Sequence, residues 1–75
     1  MKRYTKETNI DVERYLTSIG LTFYKVTSNL YRVYKGRYTY GYIPTTGRWF
    51  RYYTGSKIKH YRSSGVKDFA TYLFA

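Results

Sequence analysis

The chain has no cysteine, which excludes a disulfide framework and a thiolate metal site and leaves packing as the source of stability. Proline occurs once and histidine once. No apolar run approaches the roughly 18 residues of a membrane-spanning helix. The opening MKRYTKETN also lacks the apolar stretch of a signal peptide. The expectation is a soluble, cytoplasmic protein with no membrane partner. Acidic residues are the other scarcity: four in 75 residues. Paired carboxylates, a metal cluster or an activated nucleophile would be needed for hydrolytic chemistry. Scattered acids and a single histidine, His60, assemble none of these. A non-enzyme is therefore expected, with no cofactor and no small-molecule substrate. A chain of 75 residues makes one domain, residues 1 to 75. A domain of that size buries only about 60% of its unfolded surface, so every large side chain matters.

Basic and aromatic residues fill the space the absences leave. The net charge is +10, and its placement is uneven. Glu7, Asp11, Glu13 and Asp68 lie towards the ends, while residues 14 to 67 hold eleven Lys or Arg and no acid. Such a segment repels itself on folding unless an anionic partner offsets the cost, and nucleic acid is the commonest partner of that kind. Residues 37 to 53, RYTYGYIPTTGRWFRYY, concentrate the pattern, with seven aromatic rings and three arginines.

Helical periodicity marks each end. In TNIDVERYLTSIGL, Val12, Tyr15, Leu16 and Ile19 share a face, Thr8 or Asn9 caps the start, and Asp11 suits the positive end of the helix. Gly20 in a left-handed conformation would let Leu21 fold back on Leu16. The second helix is predicted from SSGVKDF to the C-terminus, capped by Ser63 or Ser64, with Val66, Phe69, Ala70 and Leu73 as its apolar stripe. Between the helices the period is two, and turn signals fall at 27–29, 35–36, 44–47 and 54–55. Strands are predicted at 21–26, 30–34, 37–43, 48–53 and 56–62. The fold class is thus α+β: an antiparallel meander of four to five strands, with an N-terminal and a C-terminal helix packed on one face.

Alternation assigns the faces if each hairpin takes its simplest register. Leu21, Phe23, Tyr31, Val33, Tyr38, Tyr40, Tyr42, Trp49, Tyr53 and Ile58 form the face under the helices, with Arg51 escaping at its rim. The tyrosine hydroxyls are expected to reach water or backbone at the sheet edges. The other face receives Tyr24, Arg32, Tyr34, Arg37, Arg48, Phe50, Tyr52, Lys57, Lys59 and Tyr61. Rings that stack on bases, interleaved with cations that meet phosphates, are the means by which single strands are held. The leading expectation is a small nucleic-acid-binding protein of little sequence specificity, gripping single strands or the DNA backbone. The second is a protein-interaction module or inhibitor that docks the same face on an acidic protein surface or a nucleoprotein complex, because Tyr and Arg also dominate protein interfaces.

The order helix, meander, helix resembles that of the double-stranded RNA-binding domain, with SSGVKDFATYLFA where that family's second helix begins. The five strands expected here exceed the three-stranded sheet of that family. The resemblance assigns no binding residue, because only Lys67 stands where that family has a lysine cluster. Residues 38 to 69, YGYIPTTGRWFRYY through KIKHYRSSGVKDF, also resemble short uncharacterised proteins of tailed bacteriophages. That likeness implies a phage or mobile-element origin and a bacterial host cell, and no activity.

Overall fold

The computed structural model describes residues 7–52 and 59–74. Thr8 opens the first helix, α1 (Asn9–Ser18), by accepting the Asp11 backbone N–H on its hydroxyl at 3.1 Å, which satisfies one of the orphan donors of the first turn. The helix stops as its sequence requires. Gly20 has φ 78°, its N–H reaches the Thr17 carbonyl at 3.1 Å, and the Leu21 N–H reaches the Leu16 carbonyl at 3.0 Å. This is a Schellman closure, and it turns the chain into the sheet.

Five antiparallel strands follow in sequence order: β1 (Thr22–Thr27), β2 (Leu30–Lys35), β3 (Tyr38–Ile43), β4 (Arg48–Arg51) and β5 (His60–Arg62). Two-residue turns join β1 to β2 and β2 to β3, and the four residues Pro44 to Gly47 join β3 to β4. A register shift between Lys25 and Thr27 bends the end of β1. The final helix, α2 (Val66–Phe74), returns to the same side of the sheet as α1.

One core lies between the helices and the sheet. Val12 and Leu16 of α1 and Val66, Phe69 and Leu73 of α2 meet Tyr31, Val33, Tyr42 and Trp49, with Leu21, Phe23, Tyr40 and Tyr61 partly buried around them. Phe69 is its centre, stacked on Tyr42 at 4.9 Å and tilted against Trp49 at 5.5 Å. Apolar burial of this kind is the main stabilising term for so small a domain. Tyr38 departs from the expected core: it is exposed at the rim, where its ring lies 4.4 Å from the half-buried Arg51 guanidinium. The expected core residues Tyr53 and Ile58, and the turn at 54–55, lie outside the described residues.

The four acids serve this framework. Glu13 accepts a short hydrogen bond from the buried Tyr31 hydroxyl. Glu7 accepts the Tyr42 hydroxyl at 2.6 Å and the Val66 N–H at 3.0 Å, so one carboxylate anchors a core ring and caps α2 from another part of the chain. The core hydroxyls therefore end on carboxylates, where water or backbone was expected. The expected serine cap is also corrected, because Glu7 accepts the Val66 N–H at the start of α2. The Ser64 backbone N–H donates to Asp68 at 2.9 Å, while Ser63 turns away to bond Gly47.

Burial, then the hydrogen bond and charge of Glu13, push the Tyr31 phenol above its ordinary value. A raised folded-state value means that the resulting stabilisation is complete below the unfolded phenol value of about 10 and is lost as pH climbs through the folded value. In an ultraviolet alkaline titration, the full phenolate amplitude of the 12 tyrosines is expected only together with loss of the far-ultraviolet circular dichroism signal. Full ionisation with the fold intact would contradict this environment for Tyr31.

Candidate nucleic-acid interface

Because both helices pack on one side, no helix of the described residues lies over the opposite face of the sheet. The registers arrange it in rows across the strands. The central row runs Tyr24, Arg32, Gly41, Phe50, His60. On one side lies the row Thr22, Tyr34, Thr39, extended by Tyr52, whose N–H donates to the Thr39 carbonyl at 2.9 Å. On the other side, Ile43 leads through Arg48 to Arg62.

Gly41 shapes the middle. A side chain there would place its Cβ 2.2 Å from the tip of the Phe50 ring, so the ring lies directly over the glycine. From this bed a chain of contacts spreads outward. Phe50 packs edge-on to Tyr52 at 5.1 Å and against His60 at 5.0 Å, and the Arg32 guanidinium sits 5.2 Å from the centre of the Tyr52 ring. Such cation–ring packing restrains an arginine while leaving its charge in place. The Arg32 guanidinium is raised above its ordinary value, chiefly by hydrogen bonding to Tyr52 and then to Tyr34. It is thus a permanent cation held between rings.

Exposure separates floor from contact surface. Tyr24 is 62% exposed and Tyr34 38%, whereas Phe50 is only 7% exposed. Arg48, His60 and Arg62 are exposed, while Arg32 and Tyr52 are half-buried. Phe50 therefore stands on the expected side but supports the surface from beneath, and its expected role as a stacking ring is corrected. Gly41→Ala is expected to cost about 1 to 3 kcal/mol, because Phe50 is hemmed in by Tyr52 and His60 and cannot swing aside freely. An unchanged urea midpoint would show that the ring moves without penalty.

Sequence alternation places Tyr24, Arg32, Tyr34, Arg48, Phe50 and Tyr52 on this side, and the structure brings them together there. Tyr61 is a correction. It pairs with Trp49 and stacks on that ring at 4.6 Å, on the helix side. Lys59 leaves with it, its ammonium 5.8 Å from the centre of the Tyr61 ring. Arg37 occupies the exposed β2–β3 turn at the end of the sheet. Lys57 lies outside the described residues.

The cause of the Tyr61 exchange is register. Ser63 donates to the Gly47 carbonyl from its N–H at 3.0 Å and from its hydroxyl at 2.6 Å, which fixes Arg62 opposite Arg48. That pairing differs by one residue from the simplest hairpin, and a shift of one exchanges the two faces. His60 and Arg62 therefore join the open face. Their signal in the sequence was Ser63, had its bond to Gly47 been foreseen.

Among the described residues, no three His, Asp or Glu side chains come together to hold a metal ion. No described helix is long and apolar enough to cross a membrane. Comparison with family models, with curated proteins and with solved structures returns no match.

Proposed function

We propose that this protein binds single-stranded nucleic acid, with little sequence preference, through the open face of its sheet. One observation carries the reading. The four acids lie at α1, at the start of α2 and against core tyrosine hydroxyls, while the open face presents Tyr24 and Tyr34 beside Arg32, Arg48 and Arg62 with no carboxylate among its rows. Exposed rings supply sequence-tolerant stacking, and arginines supply charge for phosphates. Ring-braced Arg32 on β2 stands beside Tyr24 of β1, and Arg48 and Arg62 stand on β4 and β5, an arrangement suited to a strand laid across the sheet.

The test is fluorescence anisotropy with a labelled oligonucleotide over a series of salt concentrations. Each neutralised phosphate of a single strand contributes a slope of roughly −0.7 in log affinity against log salt, so the three arginines alone give about −2. Binding at low salt that weakens with this slope or a steeper one supports the reading. No binding at low salt rejects it and favours docking of the same face on an acidic protein.

A further inference from the structure

At one corner of the open face two arginines are held side by side. Arg48, the first residue of β4, stands directly opposite Arg62, the last residue of β5. The next pair along, Gly47 and Ser63, is hydrogen-bonded, since the Ser63 N–H donates to the Gly47 carbonyl at 3.0 Å. Bonded and non-bonded pairs alternate along an antiparallel ladder, so Arg48 and Arg62 form a non-bonded pair, the kind whose Cα atoms lie about 4.5 Å apart and whose side chains are closest. Like charges so placed repel. The pair is held in register, because Ser63 is only 4% exposed and adds a second bond to the Gly47 carbonyl, from its hydroxyl, at 2.6 Å. Nor can arginine relieve the repulsion by giving up its proton. Both side chains are exposed, and none of the described residues in the rows of this face is acidic. A fixed cation pair without a counter-charge is matched by an anion lying across both.

We propose that Arg48 and Arg62 together hold one dianionic phosphate group, and that on a nucleic-acid strand this is the terminal phosphate. Charge decides between an end and an internal linkage. An internal phosphodiester carries a single negative charge, whereas a phosphate monoester carries about −1.5 to −2 near pH 7 and has three oxygens to share between two guanidiniums. Position agrees. The row Ile43, Arg48, Arg62 contains no ring, while Tyr24 stands in the central row and Tyr34 and Tyr52 stand beyond it. A strand stacked on those rings reaches the arginine pair where stacking stops. The strand-end assignment rests on the single-strand reading of this face. The dianion site itself does not, and free inorganic phosphate is the other source of the same group.

Two measurements test this, one with a strand and one without. In fluorescence anisotropy at constant low ionic strength, one internally labelled oligonucleotide is compared with a 5′-phosphate, with a 3′-phosphate and with neither. A phosphorylated end is expected to bind about tenfold more tightly than the unphosphorylated oligonucleotide, the gain from charged hydrogen bonds. Arg48→Gln and Arg62→Gln are each expected to weaken binding and to remove this preference, whereas Arg32→Gln weakens binding and keeps it. In thermal melts, inorganic phosphate replacing chloride at constant ionic strength is expected to raise the melting temperature of the parent saturably. The rise should exceed that of Arg48→Gln and of Arg62→Gln, which report the general effect of phosphate on a folded protein. The end preference together with the phosphate-specific rise assigns the pair to strand ends. Equal binding of the three oligonucleotides with that rise retained assigns it to free phosphate. If no oligonucleotide binds while the rise remains, the single-strand reading fails and the dianion site stands, again for free phosphate. If the three bind alike and parent and variants rise alike, the single-strand reading stands and the dianion site is overturned. An end preference that survives in both Arg48→Gln and Arg62→Gln would also overturn it.

Discussion

Phe69→Ala is expected to lower the stability of the domain by about 3 to 5 kcal/mol, the range for removing a large ring from a core. Phe69 is fully buried and joins α2 to three rings of the sheet: Tyr42 at 4.9 Å, Trp49 at 5.5 Å and Tyr40 at 6.3 Å. A domain of this size commonly has a total stability towards the lower end of about 5 to 15 kcal/mol, so the variant should retain little of it. The melting temperature should fall by at least about 12 °C at the usual conversion for small domains. Urea unfolding followed by Trp49 fluorescence and by circular dichroism measures the loss with two probes. Phe23→Ala provides the contrast: although the alternation of β1 points this ring at the core, it is half-buried on an edge strand and meets Tyr31 edge-on at 6.0 Å. Its cost should be about half that of Phe69→Ala. Equal costs would mean that Phe69 is not the keystone, and a cost for Phe69→Ala below about 1 kcal/mol would contradict the packing outright.

The contrast between these two phenylalanines also shows what the sequence could and could not reveal. Local geometry was legible. Thr8, Gly20 and Leu21 announce the start and the closure of α1, and the structure realises both. The turn expected at 35–36 lies at 36–37, which moves the β2–β3 register by two residues; an even shift keeps each side chain on its face, so alternation still places Tyr31, Val33, Tyr42 and Trp49 correctly under the helices. What was not legible depends on contacts remote in sequence. Ser63 sets the register of β5 by bonding Gly47, and with it the face taken by Tyr61, His60 and Arg62. Glu7 reaches Tyr42 and Val66, partners that no local pattern connects to it. Phe50 has the parity of a surface residue, but Gly41 opposite it leaves a bed into which the ring sinks. A period of two assigns a side; depth depends on the residue across the ladder.

The combined variant Arg32→Ala, Arg48→Ala, Arg62→Ala is expected to abolish most of the salt dependence of single-strand binding. Three cations fewer should flatten the slope of log affinity against log salt by about 2. Affinity should fall most at low salt, where counterion release contributes most, and the folded state should survive because Arg48 and Arg62 are exposed. These two residues also face each other directly across β4 and β5, a like-charge pair whose repulsion is relieved by the substitution or by an anion between them. That relief offsets part of the packing lost when Arg32 leaves the Tyr52 ring, so the variant is expected to stay folded, within about 1 kcal/mol of the parent, while binding far less. Rings should behave in the opposite manner. Tyr24→Ala or Tyr34→Ala should each cost about 1 to 3 kcal/mol of single-strand affinity for a lost stack, with the slope nearly unchanged. Anisotropy titrations of the parent and these variants at several salt concentrations separate the two contributions. If the arginine variant keeps both its affinity and its slope, the phosphates are met elsewhere on the molecule. If the tyrosine variants flatten the slope as much as the arginine variant does, the rings act by holding arginines in place, Arg32 first among them, and not by stacking on bases.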